Sequence, residues 1–244
     1  MTKILILSIF NETPEYNIMK NIQKQYVHSN DLIDYYFVTC DENINSEIKI
    51  IDDIIYVKSV DNYLNILEKT IIALDYLINS NNIYYDYIIR TNVSTIINYN
   101  LLINYLNNMP KENVYVGGVL FKLDWLDYKY GITTYKKNLY NLNEFIFFQG
   151  TGIIMSYDVV KNILNNKYNL KYDIVDDVAI GMFIRDYIPK AYMCMFNIER
   201  PKYSKNEYKN DCIIIRNNFY NSDRVSELKN MTLFLENILN ENNN

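Results

Sequence analysis

The sequence predicts an α/β protein with a mainly parallel central sheet and helices on both of its faces. Short apolar runs, such as residues 4–9 and 87–91, have the length and the β-branched content of buried strands. Between them, apolar residues recur at helical spacing, and this alternation is typical of a parallel sheet covered by helices. The 244 residues can bury a substantial core, and no Pro/Gly-rich linker divides them. We therefore expect one domain over residues 1–244.

Each expected element follows from its own pattern. The candidate strands are Ile4 to Ile9, Ile33 to Thr39, Ile54 to Val57, Tyr87 to Thr91, Val114 to Leu120, Glu144 to Phe148 and Cys212 to Ile215. The candidate helices are Tyr16 to Tyr26, Asn62 to Asn79, Asn100 to Asn107, Asp158 to Asn165, Asp177 to Asp186 and Ser222 to Asn240. Asp61 precedes the clearest of these helices and is its expected N-cap. Ligands of such sheets bind beyond the carboxyl ends of the strands, so the loops after Ile9, Thr39, Thr91 and Leu120 should surround one cleft.

Composition excludes some classes of function. A net charge of -5 and an isoelectric point near 5.0 argue against a nucleic-acid-binding surface, which needs excess positive charge. The apolar N-terminal run, residues 3–9, is too short for a membrane anchor or a signal peptide. Three scattered cysteines (Cys40, Cys194 and Cys212) do not form a disulfide framework, so we expect a reducing, cytoplasmic location. The Asn, Ile, Tyr and Lys bias indicates an A/T-rich genome, as in a large DNA virus or an A/T-rich microbe.

The acidic doublet Asp176-Asp177 opens an apolar, helix-like stretch. One interpretation is a helix cap, because the free amides and the dipole of a helix N-terminus stabilise a carboxylate. A cap needs only one acid, however. The second carboxylate would then be available as a general base, with a pKa set by its neighbour and by burial.

Two further segments suggest a ligand cleft. Gly150-Thr151-Gly152 places two of the six glycines one residue apart, which indicates that the backbone closely approaches a ligand or another strand. The strand that ends at Arg90-Thr91 runs into the polar turn Asn92-Val93-Ser94. An ordinary strand exit would have the same composition, because Asn and Ser favour turns.

The order of these motifs resembles the β-1,3-glycosyltransferases of family GT31, which include β-1,3-galactosyltransferases, N-acetylglucosaminyltransferases and, as a relative, Fringe. The matching motifs are Asp61-x-Tyr63-x-Asn65-x-Leu67-x-Lys69-Thr70, the strand ending at Thr91, Gly150-x-Gly152 with Ser156, and Asp176-Asp177-Val178-x-x-Gly181. The resemblance runs from about Lys3 to Gly181, and several motifs in order are more specific than any one of them.

The resemblance implies a GT-A fold and transfer of a hexose or N-acetylhexosamine from a UDP-sugar to a glycan or glycoprotein acceptor, with inversion at the anomeric carbon. It makes Asp177 the base that deprotonates the acceptor hydroxyl, while Asp176 orients it or caps the helix. The implied donor and nucleotide contacts are Asp61, Asn65, Lys69, Arg90, Asn92 and Ser94. The implied contacts to the sugars are Gly150, Thr151 and Gly152.

The chain departs from this family at its metal site. Family members carry an acidic cluster after the strand, and its last carboxylate binds Mn²⁺, whereas this chain has Asn92-Val93-Ser94. None of these side chains is an anion, and the only histidine, His28, lies near the N-terminus, so a metal requirement is not expected. Fixed cations must then stabilise the departing diphosphate. The foremost candidate is Arg216, ahead of Arg200, Lys202 and Lys205, because it ends an apolar strand.

Trp125 lies in a long irregular stretch where an acceptor sugar could stack on its ring, although core packing or a mobile lid fits it equally well. Three functional hypotheses follow from the sequence. The chain is an active transferase, a catalytically inactive nucleotide- or glycan-binding protein, or a structural protein that uses only the surface of the fold. Asp177 and the paired glycines favour the first, and the missing acidic cluster favours the second.

Overall fold

The computed structural model describes residues 2–27, 32–81, 83–196, 198–199, 212–216 and 224–242. Its strands are β1 (Ile4–Ile9), β2 (Ile33–Cys40), β3 (Ile48–Ile51), β4 (Ile54–Val57), β5 (Tyr87–Asn92), β6 (Thr95–Ile97), β7 (Tyr115–Gly117), β8 (Leu120–Leu123), β9 (Phe145–Phe148), β10 (Gly152–Ser156), β11 (Ile198–Glu199) and β12 (Ile214–Arg216). Its α-helices are α1 (Pro14–Tyr26), α2 (Ile66–Asp75), α3 (Tyr99–Asn107), α4 (Thr134–Leu139), α5 (Tyr157–Asn165), α6 (Asp176–Tyr187) and α7 (Arg224–Asn242). A π-helical turn, Tyr76–Ser80, follows α2, and 3-10 turns cover Tyr128–Tyr130 and Lys167–Asn169.

The central sheet has seven strands in the order β3-β4-β2-β1-β5-β10-β7. Strands β4, β2, β1 and β5 run parallel, β3 and β10 run antiparallel to their neighbours, and β7 again follows the direction of β5. Two small sheets lie beside it, β11-β12-β6 and β8-β9. The predicted α/β class with a mainly parallel sheet is therefore confirmed.

Both faces of the sheet are covered, which explains why β1 and β5 are apolar without alternation. Leu5 and Leu7 pack on one face with residues of α2, α5 and α6. Ile4 and Ile6 pack on the other face with residues of α1, α3 and α7. Successive side chains of a strand point to opposite faces, so a strand between two layers of helices needs apolar residues at every position. None of the helices within the described ranges combines the length and the hydrophobicity that a membrane span requires.

Several expected boundaries were wrong. The strand expected over Val114 to Leu120 is divided, because β7 ends at Gly117 and β8 begins at Leu120. A Cβ atom on Gly117 would lie 2.6 Å from the ring of Phe148, so this ring packs directly on the backbone where β7 ends. The strand expected over Glu144 to Phe148 forms as β9 but pairs with β8 outside the central sheet. Strands β3 and β10 were not predicted, and β10 is a central strand of the sheet.

The helix expected from Asn62 begins at Ile66. The side-chain oxygen of Asn62 accepts hydrogen bonds from the amides of Leu64 and Asn65, and such an Asx turn competes with helical hydrogen bonding. Asp61 is not the N-cap, since this position belongs to Asn65 and Asp61 pairs with a lysine instead. The short helix α4 was not predicted, and the remaining helices begin and end within two residues of their expected positions.

One edge of the sheet brings the expected motifs together. The carboxyl ends of β1, β2 and β5 meet there because these strands are parallel. Strand β10 is antiparallel to β5, so its first residue, Gly152, pairs with Thr91 at the same edge. The loop after Gly117 reaches this edge as well, since β7 runs parallel to β5, so the last of the four expected loops follows Gly117 and not Leu120.

Candidate active site

Asp176 is the first residue of α6 and lies in the protein interior. Its carboxylate forms an ion pair with Arg90 of β5, with 2.7 Å between Asp176 Oδ2 and Arg90 Nη2, and only 3% of each side chain is exposed. Val175 is the N-cap residue of this helix, and no side chain caps it. Asp176 thus forms an internal ion pair, and its side chain does not cap the helix. The other role expected for it, that of orienting Asp177, stays a prediction.

Asp177 points toward the glycine turn and is half-buried. Its Oδ2 accepts a hydrogen bond from the Gly150 amide at 3.0 Å, and its Oδ1 accepts one from the Val178 amide at 2.9 Å. Burial, followed by the negative charge of Asp176, raises the pKa of Asp177 to about 7, against the opposing effects of the Gly150 amide and of Arg90. A carboxyl group with this pKa can take up a proton near neutral pH, which is what a general base requires.

The turn at Gly150 and Thr151 is held from several sides. The Gly150 carbonyl accepts hydrogen bonds from Arg90 Nη1 and from the Asn92 amide group. A Cβ atom on Gly150 would lie 2.5 Å from Arg90 Nη1, so only glycine leaves room for the guanidinium. The close approach that the sequence indicated here is thus made by an arginine side chain of the protein.

Arg216, the last residue of β12, reaches the turn between β5 and β6. Its Nη1 donates hydrogen bonds to Ser94 Oγ at 2.7 Å and to Thr95 Oγ1 at 3.2 Å. Thr95 in turn donates to the carbonyl of Thr151 at 3.2 Å. A cationic side chain therefore lies next to the polar turn, and its expected contact with a diphosphate stays a prediction. Arg200, Lys202 and Lys205, the other cations considered, lie outside the described residues.

The polar turn does not offer the donor set of a hard divalent cation. Asn92 Oδ1 already accepts a hydrogen bond from Arg90 at 3.0 Å, and Ser94 Oγ accepts one from Arg216. Two guanidinium groups thus lie within hydrogen-bonding distance of the oxygens that would have to bind a metal, and like charges repel. In the described part of the chain, no group of three or more His, Cys, Asp or Glu side chains could hold a metal ion. The residues present here do not fit Mn²⁺.

Asp61, Asn65 and Lys69 form a second cluster at the same edge. Lys69 Nζ is buried and donates to the carbonyl of Phe10 and to Asp61 Oδ1, each at 2.8 Å. The Asn65 amide group donates to the Val60 carbonyl at 2.8 Å. These bonds join the start of α2 to the end of β1 and to the loop after β4. Their predicted contacts with a nucleotide stay a prediction.

Trp125 is connected through Tyr130 to Val175, the residue before the doublet. The ring is half-buried against the core and meets Tyr130 edge to face, with 6.3 Å between the ring centroids. The Tyr130 carbonyl accepts a hydrogen bond at 2.9 Å from the amide of Val175, the residue before the doublet. Both alternatives, core packing and a position beside the acceptor, are compatible with this placement.

Three polar side chains at the site were not singled out from the sequence. The hydroxyls of Thr91 and Thr95 both donate to the carbonyl of Thr151. Asn11 follows β1, and its Oδ1 is buried without a hydrogen-bond donor among the described residues. Threonine is common in strands and asparagine is abundant in this chain, so neither residue type gave a distinguishing signal.

Comparison with known proteins places this geometry in context. Residues 37–193, more than half of the chain, match the sequence model of the family described as Galactosyltransferase. No curated protein matches the sequence significantly. Among solved structures, the mannosyltransferase PcManGT from Pyrobaculum calidifontis, in complex with GDP-Man and Mn²⁺, is 8% identical with a TM-score of 0.45. The match covers 80% of this chain and 55% of that one, so the chain spans about half the length of that protein.

Proposed function

The chain belongs to the galactosyltransferase family, and on this basis we propose that it transfers a hexose or an N-acetylhexosamine from a UDP-sugar to a hydroxyl group of a glycan acceptor, with inversion. The GT-A fold and the GT31-like subtype form part of the proposal. The family implies a nucleotide-sugar donor and a glycan acceptor, while UDP and inversion rest on the motifs around Asp177.

The proposed reaction is a single displacement. The acceptor oxygen attacks the anomeric carbon of the donor sugar and forms the new glycosidic bond. The bond between this carbon and the β-phosphate oxygen breaks, and its electron pair leaves with UDP. The hydroxyl proton passes to Asp177, whose pKa of about 7 keeps a large fraction of the base ionised at neutral pH.

One observation supports this proposal above the others. The Gly150-Thr151 backbone links the proposed base to a fixed cation, because the Gly150 amide donates to Asp177 and the Thr151 carbonyl accepts from Thr95, which also binds Arg216. A general base and a cation on either side of one tight turn suit a displacement in which a proton leaves the acceptor and negative charge develops on the diphosphate.

We propose that Arg216 supplies the positive charge that Mn²⁺ supplies elsewhere in the family. Its guanidinium binds Ser94, the position of the last carboxylate in the acidic cluster of family GT31. A planar group with several N–H donors suits the oxygens of a diphosphate. No step of the proposed reaction then requires a divalent metal.

A second candidate is a nucleotide- or glycan-binding protein without turnover. The observation that favours it is the occupation of the Asn92 and Ser94 oxygens by arginines, which removes the family's usual metal site. The raised pKa of Asp177 favours the active enzyme, since a binding protein does not need a carboxyl group that titrates near neutrality.

Binding of UDP and turnover of UDP-sugars test these candidates together. We expect UDP to raise the melting temperature in EDTA, and we expect release of UDP from one member of a UDP-sugar panel. Arg216→Ala should weaken UDP binding about tenfold or more, because a charge-assisted hydrogen bond contributes about 1.5–3 kcal/mol. Arg185→Ala, which removes a half-buried arginine at the far end of α6, is the matched control.

The outcomes separate the hypotheses. Binding without turnover of any UDP-sugar supports the second candidate. No shift of the melting temperature with UDP or any UDP-sugar, with or without Mn²⁺, would refute both. An unchanged UDP affinity in Arg216→Ala would remove this residue from the donor site, and a strict Mn²⁺ requirement would refute the metal-free mechanism.

We also propose that the protein acts in a reducing, cytoplasmic compartment. The three cysteines do not form disulfides with one another, and Cys40 and Cys212 are buried. Measurement of the free thiols in protein purified without a reductant tests this, and an intermolecular disulfide would contradict it.

A further inference from the structure

Arg90 contacts both the acidic doublet and the turn at Gly150. From β5 its Nη2 pairs with Asp176, and its Nη1 donates to the carbonyl of Gly150 and to Asn92. Gly150 then donates its amide to Asp177. The contacts form a closed ring, because Asp176 and Asp177 are neighbours in the chain.

The Arg90–Asp176 side of this ring lies in the interior. Both partners of the Arg90–Asp176 ion pair are 3% exposed, so water screens their attraction little. The planar guanidinium places one nitrogen beside Asp176 and another on the Gly150 carbonyl, which the single ammonium group of a lysine does less well. The strand that carries Arg90 is a firm support, since β1 and β10 pair with it on both sides.

We propose that Arg90 is the positioning residue of this site, whose guanidinium holds Asp176 and the Gly150 turn at once and thereby fixes the carboxylate of Asp177 toward the acceptor hydroxyl. The proposal rests on the proposed function, in which Asp177 is the base. It gives Arg90 an internal role in place of the nucleotide contact that the family resemblance implied.

The pH dependence of the site should follow this arrangement. The titratable and charged groups around Asp177 are Asp176 on its own helix, Arg90 on β5 and the buried Tyr115 on β7. Asp176 raises the pKa of Asp177 and Arg90 lowers it. Burial raises the pKa of Tyr115, which therefore stays neutral and does not titrate near pH 7. Within the described ranges, Asp176 and Arg90 are therefore the charged neighbours expected to shift the acid limb of the rate profile.

The first test compares Arg90→Lys with Arg90→Gln in a pH series of kcat and KM for the donor. Lysine keeps the charge but lacks the two separate nitrogens that contact Asp176 and Gly150. We therefore expect kcat to fall about tenfold or more, with the acid limb of the rate profile still near pH 7 and KM nearly unchanged. Glutamine removes the charge that faces Asp176 and Asp177, so the acid limb should also move to higher pH. Arg185→Lys on α6 is the matched control and should leave both parameters and the profile unchanged.

The second test allows for a glutamine variant that fails to fold. In Arg90→Met/Asp176→Leu both charges of the buried pair are removed together, a change that is often neutral for stability. We expect this variant to fold, to lose about a hundredfold or more in kcat, and to have its acid limb at lower pH, because Asp177 loses its negative neighbour.

The two tests distinguish a positioning role of Arg90 from a purely structural role, and they separate failure of this proposal from failure of the proposed function. An arginine that only stabilised the fold would change the melting temperature and the active fraction, while kcat per active site and the profile would match the unmodified protein. Activity and a profile equal to the unmodified protein in Arg90→Lys or in the double variant would overturn the positioning role while leaving the proposed function intact. Absence of turnover in the unmodified protein would instead refute the function.

Discussion

Asp177→Asn should stabilise the folded protein increasingly as the pH rises, as well as abolish transfer. Burial and Asp176 raise the pKa of Asp177 from 3.8 to about 7. In the unfolded chain this carboxyl group is ionised above about pH 4. The folded protein therefore holds one more proton than the unfolded chain between these values, and its free energy of unfolding falls as the pH rises through this range.

The magnitude follows from the size of the pKa shift. Each pKa unit corresponds to about 1.36 kcal/mol, so the interval from about pH 5.5 to the pKa of about 7 corresponds to about 2 kcal/mol. Asp177 is only half-buried, and screening by water reduces this value to about 1–2 kcal/mol. Asparagine has the same shape and does not titrate. The stability of Asp177→Asn relative to the unmodified protein should thus rise by this amount up to pH 7 and stay constant above it.

Urea denaturation followed by the fluorescence of Trp125, the single tryptophan, measures this difference. A series from about pH 5.5 to about pH 8.5 stays above the isoelectric point near 5.0. Any constant cost of the substitution, such as a lost acceptor for the Val178 amide, cancels in the pH dependence. Asp52→Asn, in an exposed turn, is the control for the removal of one carboxylate from the surface. A flat difference for Asp177→Asn would refute the raised pKa, and normal transfer by this variant would refute its role as the base.

Two further predictions concern the backbone and the second cluster at the sheet edge. Gly150→Ala should lower kcat more than Gly152→Ala. The new Cβ would lie 2.5 Å from Arg90 Nη1 in the first variant, but 2.4 Å from a movable methyl group of Ile214 in the second. Steady-state rates at equal folded fraction measure this, and equal losses would contradict it. Lys69→Met should lower the free energy of unfolding by about 2 kcal/mol. This is less than the roughly 3–5 kcal/mol lost when a fully buried ion pair is broken, since the Asp61 carboxylate is partly exposed and can be hydrated. Urea denaturation measures the change, and an unchanged midpoint would contradict the pairing.

The sheet shows which elements could be predicted from the sequence. Strands β1, β2, β4 and β5 were predicted within one residue, because strands covered on both faces are largely apolar and stand out from their surroundings. Strand β10 was missed although all of its residues are buried. It begins directly at Gly152 and is followed at once by α5, so local composition alone did not separate it from the turn and the helix.

At the site, too, the local motifs were predicted while the contacts between them were not. The doublet, the glycine pair and the polar turn were all found as local motifs, and the resemblance to a transferase family gave them a common purpose. The partner of Asp176 was not predicted. The family resemblance implied that Arg90 contacts the nucleotide, whereas in the fold its guanidinium faces Asp176 and the Gly150 turn.

The sequence by itself therefore determined the α/β class, the central strands and the acids and glycines from which the site is built. Only the tertiary structure decided which charges meet, with Asp176 paired to Arg90, Lys69 to Asp61, and Arg216 placed on Ser94. The physical reason is that periodicity reports which face of an element is buried, whereas an ion pair or a shifted pKa depends on distance and burial between residues far apart in the chain. The sequence identified the doublet as two acids, but their different environments arise only in the fold, where Asp176 of α6 meets Arg90 of β5.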